Sequence, residues 1–219
     1  MKTVFESSFK KPDHRWVTRE LEGGNAADNC AVTQGGYLKL LIKEDDNPKG
    51  YNTGMVWVPS FQFTFGLIEA RVRHHSPKGA HSSFWLQPEE NAYMHDVSST
   101  PNNERETEID IFEHFGDHAI HHNIYWRDEG AKADEYQNKH AKTTVYDPYD
   151  WHTYGCRWKA DSYTFYIDGV QTAKFKKGLS TTPKVLILSI LVSSWEESKL
   201  KKDQLQKYKT EIDWVRVKQ

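Results

Sequence analysis

Apolar and polar side chains alternate through most of this chain, and that two-residue period limits what it can fold into. Across residues 61–73, FQFTFGLIEARVR, Phe61, Phe63, Phe65 and Leu67 form one alternating set. Beyond Gly66 the apolar set passes to Ile68, Ala70 and Val72, against Glu69, Arg71 and Arg73. Successive side chains of a strand leave on opposite faces, so this pattern buries one face of a sheet and suits no helix. The run reads as two strands, or as one strand bent at the glycine. Similar short runs stand at 37–42, 120–126, 152–158, 162–167, 185–192 and 211–217, separated by Gly35-Gly36, Pro77-Lys78-Gly79, Asp147-Pro148 and Asp168-Gly169. The last, inside TFYIDGVQTAKF, is a hairpin signal. About ten to twelve strands are expected on this reading. The only helix candidate, 197–208 (ESKLKKDQLQKY), is short and polar. Many short strands without helices make an all-β sandwich or barrel.

The 219 residues suffice for one domain, 1–219, whose core needs no staple. Lysine plus arginine is 29 and aspartate plus glutamate 31, a net charge of −2, without the basic excess of a nucleic-acid binder. No apolar run reaches the length of a membrane span. Aromatics are 13% of the chain, eight of them Trp, which suits aromatic surfaces of the kind sugar rings bind. Cys30 and Cys156 could pair, but their spacing fits no metal or redox motif. Two long polar segments, 88–106 and 127–150, have loop composition and flank the strand that carries the chemistry.

That strand lies in residues 106–116, ETEIDIFEHFG. In a regular strand Glu108 and Asp110 share a face, while Glu113, three positions on, falls on the opposite face among apolar residues. A carboxylate buried there without a partner would be costly. One extra residue at Ile111 or Phe112, a β-bulge, returns Glu113 to the face of the other two acids. At roughly 3.3 Å per residue the outer pair then stands on the order of 13 Å apart at Cα. Long side chains leaning inward over a concave sheet could approach the roughly 5–5.5 Å carboxyl separation of a retaining glycosidase. Crowded acids push one another's pKa values apart, so one attacks as carboxylate while another delivers a proton. Two other readings compete: a solvent-facing strand that happens to carry three acids, and a divalent-metal site, which would need more converging oxygens.

These residues resemble glycoside hydrolase family 16, whose bulged pattern E-x-D-x-x-E stands here as Glu108-Ile-Asp110-Ile-Phe-Glu113. The likeness extends in order through YNTGMV (51–56), FGLIEARVRHHSPKGAHSSFWLQP (65–88), WHTYGCRWKADSYTFYIDGV (151–170) and EIDWVRV (211–217). It implies a β-jelly-roll sandwich of two antiparallel sheets with an open, concave cleft, and retaining, endo-acting hydrolysis of β-1,3 or β-1,4 linkages in polysaccharides. Glu108 matches the family's nucleophile, Glu113 its acid/base and Asp110 its assisting carboxylate. Where laminarinases commonly show G-x-W-P-A-F-W-L, this chain has Gly79-Ala80-His81-Ser82-Ser83-Phe84-Trp85-Leu86. The segment HHNIYW (121–126) is similar to the H-x-L-H-W of endo-β-galactosidase-like members, with Tyr125 at the second His. A galactose-containing glycan is thus as consistent with the sequence as a β-glucan.

Family clefts use aromatic faces as sugar platforms, and Trp126, Trp195 and Trp85 are the candidates here, with His122 and Asn52 as polar contacts. By parity Trp126 goes with His122 and Ile124, and Asn123 with Tyr125; either set could face the cleft. His114 is a further candidate for a sugar hydroxyl, and Trp16, Trp151, Trp158 and Trp214 read as packing residues. Adjacent strand residues point apart, so His118, His121 and His122 do not converge on a zinc ion. No catalytic cofactor is expected. The resemblance implies a structural Ca²⁺ in many members, but no segment here identifies ligands for it. The expected partner is a polysaccharide or oligosaccharide, bound by a monomer, with no role for nucleic acid or membrane. Because such polymers lie outside cells, a secreted or cell-envelope protein is expected, although MKTVFESSFKK has no apolar stretch of leader length. A lectin-like jelly roll without catalysis, and a transglycosylase using the same acids, are the competing functions.

Overall fold

A computed structural model describes residues 1–20, 25–89, 107–126, 137–145 and 147–219. In chain order the strands begin with β1 (Thr3–Ser7), β2 (Val17–Thr18), β3 (Ala31–Gln34), β4 (Tyr37–Leu41), β5 (Lys43–Glu44) and β6 (Tyr51–Asn52). There follow β7 (Gly54–Trp57), β8 (Gly66–His74), β9 (His81–Gln87), β10 (Thr107–His114), β11 (Ala119–Trp126) and β12 (Gln137–Thr144). The last are β13 (His152–Lys159), β14 (Ser162–Ile167), β15 (Val170–Phe175), β16 (Val185–Leu191) and β17 (Lys209–Lys218). A front sheet runs β12-β11-β10-β9-β16-β7-β2. A back sheet runs β15-β14-β13-β8-β17-β4-β3, with β1 also on β17, and β5 pairs with β6 apart from both. All these pairings are antiparallel.

The alternation becomes a sandwich because each sheet gives one apolar set to a shared core. The back sheet contributes Ile68, Ala70 and Val72 from β8, Tyr154, Cys156 and Trp158 from β13, and Ile212, Val215 and Val217 from β17. The front sheet answers with Phe84 and Leu86, Ile109, Ile111 and Phe112, Ile120 and Ile124, and Leu186, Leu188 and Ile190. Each Val, Leu, Ile or Phe among them withdrawn from water contributes about 1.5–3 kcal/mol. The run of β16, apolar except for Ser189, is buried on both sides. Its odd residues Val185 and Ile187 join Met55, Trp57 and Trp85 in a second cluster outside the core.

Several sequence expectations are corrected. Residues 61–65 do not form a strand: Phe63 makes one bridge, to Lys184, and Phe65 turns to φ +65°. Phe61 stacks between Phe5 and Phe63, while Phe63 and Phe65 meet Trp158 edge-on, so these rings plug one end of the core. Within 127–150, read as loop, the residues 137–144 form β12 along the whole of β11. It is a polar, exposed edge strand, so no apolar alternation announced it. Residues 90–106, 127–136 and 146 of the two polar segments lie outside the described residues. The helix candidate 197–208 is split: a single turn stands at Ser194–Glu197 and a 3₁₀ segment at Lys202–Lys207, with a non-helical residue at Gln204. Asp168-Gly169 makes the expected hairpin turn between β14 and β15, both residues having positive φ. Cys30 and Cys156 are separate, buried free thiols. Among the described residues no helix is long and apolar enough to cross a membrane.

Candidate active site on the outer face of the front sheet

The extra residue in the acidic strand is present. Against β9, Asp110 faces Trp85 and Phe112 faces Phe84, leaving Ile111 without a partner. Against β11, Asp110 faces Asn123 and Glu113 faces His121, so three positions of β10 span two of its neighbour. The insertion lets Ile109, Ile111 and Phe112 all enter the core and turns Glu113 outward with Glu108 and Asp110. Cross-strand partners share a face, so the outer row includes Gln87, Trp85, Ser83 and His81 of β9, and Tyr125, Asn123 and His121 of β11.

The three acids feel one another. Burial and then the charge of Glu113 push Glu108 up to about 7, against hydrogen bonding from Gln87 and the more distant charges of Arg19 and Lys184. Asp110 is raised well above the ordinary carboxylate range by burial and by the charges of Glu108 and Glu113, and its Oδ2 is buried without a hydrogen-bond partner. A carboxyl in that position favours its neutral form. For Glu113 burial acts in the same sense but is outweighed: His81 and Asn123 hold the carboxylate below its ordinary value. His81 Nε2 lies 2.7 Å from Glu113 Oε1, and Asn123 donates its side-chain N–H to Oε2. Tyr125, beside Glu108, is pushed up to about 12 by burial and by all three negative charges.

Beside the acids lies an aromatic floor. Trp57 and Trp85 pack with Met55, Val185 and Ile187, and the Arg19 guanidinium sits 5.7 and 5.3 Å from the two indole rings. Arg19 also donates to Gln87 at 3.1 Å, and Gln87 donates to Glu108. Trp85 therefore shares the face of the acids, its indole N–H on Ser189 at 3.2 Å. Trp195 is 64% exposed and stands 6.5 Å from His81, centroid to centroid.

Four sequence-predicted contacts are elsewhere. Trp126 lies on the core face of β11, opposite Thr107, and packs against Gly178; a Cβ there would come within 2.6 Å of the indole. His122 is likewise inside: its Nδ1–H donates to Ile111 O at 2.7 Å, its Nε2 accepts from Thr172 at 2.9 Å, and its ring stacks on Phe165. Asn52 donates to Asp45 and accepts from Asn47, each at 2.8 Å, which ties the turn between β5 and β6. His114 is buried too, stacked on His74 at 4.4 Å. The bulge explains the first two: it fixes which parity of β11 faces outward, and that set is His121, Asn123 and Tyr125. From sequence Asn123 and Tyr125 stand as one of two equivalent sets, while His121, His81, Gln87 and Arg19 are not among the proposed sugar contacts. Pairing register with the acids would have indicated all but Arg19, which sits on a separate edge of the sheet.

Among the described residues no three His, Cys, Asp or Glu side chains converge as a metal site.

The family model described as Glycosyl hydrolases family 16 matches residues 18–216. A beta-glucanase of Acetivibrio thermocellus is 25% identical over 196 residues, covering 86% of this chain and 54% of its own length, so the chain spans about half of that curated relative. Among solved structures, LamAcat of Zobellia galactanivorans superposes with a TM-score of 0.82 at 21% identity, over 100% of this chain and 98% of that one. Porphyranase B of the same organism superposes at 0.79 with 20% identity, over 99% and 91%. At such identities the structural likeness speaks for the jelly-roll fold.

Proposed function

The chain belongs to glycosyl hydrolase family 16, and from that premise we propose that it is a retaining, endo-acting β-glycoside hydrolase of polysaccharides. The observation that carries this reading is the register shift in β10, which puts Glu108, Asp110 and Glu113 on one face where their charges act on one another. The reaction is a double displacement. Glu108 attacks the anomeric carbon while Glu113 protonates the departing oxygen; Glu113 then takes a proton from the water that releases the sugar from Glu108. Gln87 orients Glu108, and Asn123 and His81 orient Glu113.

The proton affinities run opposite to these roles, since Glu108 is raised and Glu113 lowered. Acids this close titrate as a set, and the reaction needs one mobile proton in the set rather than fixed values for its members. Asp110, with the unpartnered buried oxygen, is the member suited to hold a proton and leave Glu108 free to attack. A glycosidic oxygen arriving at Glu113 excludes water there and favours the protonated carboxyl.

The relatives guide the substrate. The beta-glucanase and the laminarinase- and porphyranase-type neighbours support internal β-1,3 or β-1,4 linkages of a β-glucan or a galactose-containing glycan. The protein acts as a secreted or cell-envelope monomer on such polymers, with Trp85 and Trp195 as sugar platforms. The test is reducing-end release from laminarin, porphyran, agarose, carrageenan and keratan-type glycans, with the product anomer followed by NMR. Cleavage with retained configuration, abolished in Glu108→Gln, is the expected result. A wild-type protein that binds a glycan but cuts none of the panel would overturn the reading.

A further inference from the structure

His81 occupies the position where the G-x-W-P-A-F-W-L pattern has its first Trp, so a titratable ring stands where that pattern puts an apolar one. Its setting is specific. Nε2 lies 2.7 Å from Glu113 Oε1 and 2.8 Å from Ser83 Oγ, and Nδ1 lies 3.2 Å from Ser193 Oγ at the start of the Ser194–Glu197 turn. Phe115 stacks on the ring at 4.5 Å with 18° between planes. Three elements thus fix the imidazole, and its side chain is only 13% exposed.

We propose that His81 is the positioning residue of Glu113, clamping Oε1 so that the carboxyl group aims at the leaving oxygen and tying its proton transfers to the imidazole. This rests on the reading of the acids given above. When Glu113 gives its proton to the glycosidic oxygen, the C–O bond to the leaving group breaks and the bond from Glu108 to the anomeric carbon forms. Glu113 is then a carboxylate, and the neutral imidazole donates Nε2–H to it, with Nδ1 accepting from Ser193. In the second half a water proton passes to Glu113 as the water oxygen displaces Glu108, and the pair returns to its starting state. The clamp favours the ionised acid and therefore makes proton delivery easier, while limiting the pH range in which the acid is loaded.

Other ionisable groups face this pair. His121 pairs in register with Glu113, meets Phe115 edge-on and lies 2.8 Å from His140 of β12, ring nitrogen to ring nitrogen. Glu196 accepts the Gly79 N–H and the Lys199 ammonium, and its carboxylate is thereby engaged two residues from His81. Glu108 and Asp110 share the face on the other side. Among the described residues the side chains hydrogen-bonded to Glu113 are those of His81 and Asn123.

The test compares wild type with His81→Phe, which keeps a stacking ring and removes the N–H, and His81→Gln, which keeps a donor. In His81→Phe the alkaline limb of kcat/KM should move up by about one pH unit, because an interaction favouring the carboxylate is gone. At the wild-type optimum kcat should fall several-fold with KM within twofold, and His81→Gln should recover part of both effects. An unmoved limb in an active, folded His81→Phe protein overturns the proposal and leaves the glycosidase reading standing. Independently of turnover, NMR titration of the Glu113 carboxyl should show it holding its proton to higher pH in His81→Phe than in wild type. Equal values would overturn the clamp, and a clamp seen by NMR in a protein that cuts no glycan would sink the glycosidase reading alone.

Discussion

The two faces of β10 and β11 bury ionisable side chains a few residues apart in sequence, yet they treat them in opposite ways. On the core face His122 has both ring nitrogens satisfied, by Ile111 O and Thr172, and burial holds it neutral, its pKa down to about 4. His114, also down to about 4, and His74 stacked on it, lowered well below the ordinary value, are held neutral by burial as well. Each has one buried ring nitrogen, Nδ1 and Nε2 respectively, without a hydrogen-bond partner. On the outer face Glu108 is forced up to about 7 by burial and a neighbouring charge, and Asp110 keeps an oxygen without a partner. The inner groups are arranged to stay in one protonation state; the outer ones are poised to change it. Stability and chemistry are thus divided between two sides of one pair of strands, and substitutions should divide the same way.

The largest effect is expected outside. Glu113→Gln should lower kcat on a cleaved glycan by about 10²–10⁴-fold, the usual contribution of a general acid, while the melting temperature stays within a few degrees. Next comes the inner face. Trp126→Ala empties the space between β11 and Gly178 and should cost about 3–5 kcal/mol in chemical denaturation, with KM for the folded fraction unchanged. A Trp126 variant that kept its stability and lost substrate affinity would reverse the assignment of faces.

Both faces are legible in the sequence of the acidic strand, because a three-residue spacing between acids conflicts with a two-residue period. The conflict required an extra residue at Ile111 or Phe112, and the ladder slips there. What the strand alone could not supply was the register of its neighbours. In HHNIYW either parity offers an aromatic and a polar group, so Trp126 and Tyr125 were equivalent until Glu108 was seen opposite Tyr125. Strand β12 was hidden for a different reason: an exposed edge strand buries nothing and so carries no apolar period. Asn52 was misplaced because a short polar side chain serves a turn as readily as a ligand, and here Asp45 and Asn47 use it.

Acid and base should expose the two faces separately. A histidine held neutral in the fold stabilises it above the unfolded value of 6.5, and that contribution is lost as pH falls, because the unfolded chain takes up protons the folded one refuses. For His114 and His122 the loss runs from about pH 6.5 down to about pH 4 and amounts at most to about 3 kcal/mol per ring. Glu108 has the opposite sign. Its raised value favours the fold most below the ordinary 4.5, and the benefit disappears as pH rises through about 7. Glu108→Gln should therefore match wild type near pH 4.5 and exceed its unfolding free energy by about 2–3 kcal/mol at pH 8. Denaturant titrations at both pH values measure this, and a Glu108→Gln protein no more stable at pH 8 would mean that neither burial nor the Glu113 charge penalises the Glu108 carboxylate.

The smallest expected effect is at Trp195, and it separates platform from packing most cleanly. The indole is 64% exposed on a single helical turn, next to the His81 ring that contacts Glu113. Little of its surface is withdrawn from water by folding, so Trp195→Ala should change stability by less than about 0.5 kcal/mol. If a sugar ring stacks on that indole, the same substitution forfeits about 1 kcal/mol of binding, which is a five- to tenfold rise in KM. The chemical step should be untouched, so kcat and the pH profile should stay at their wild-type values. An unchanged KM would remove Trp195 from the substrate path and leave the floor of Trp57 and Trp85, beneath Arg19, as the aromatic surface of this face.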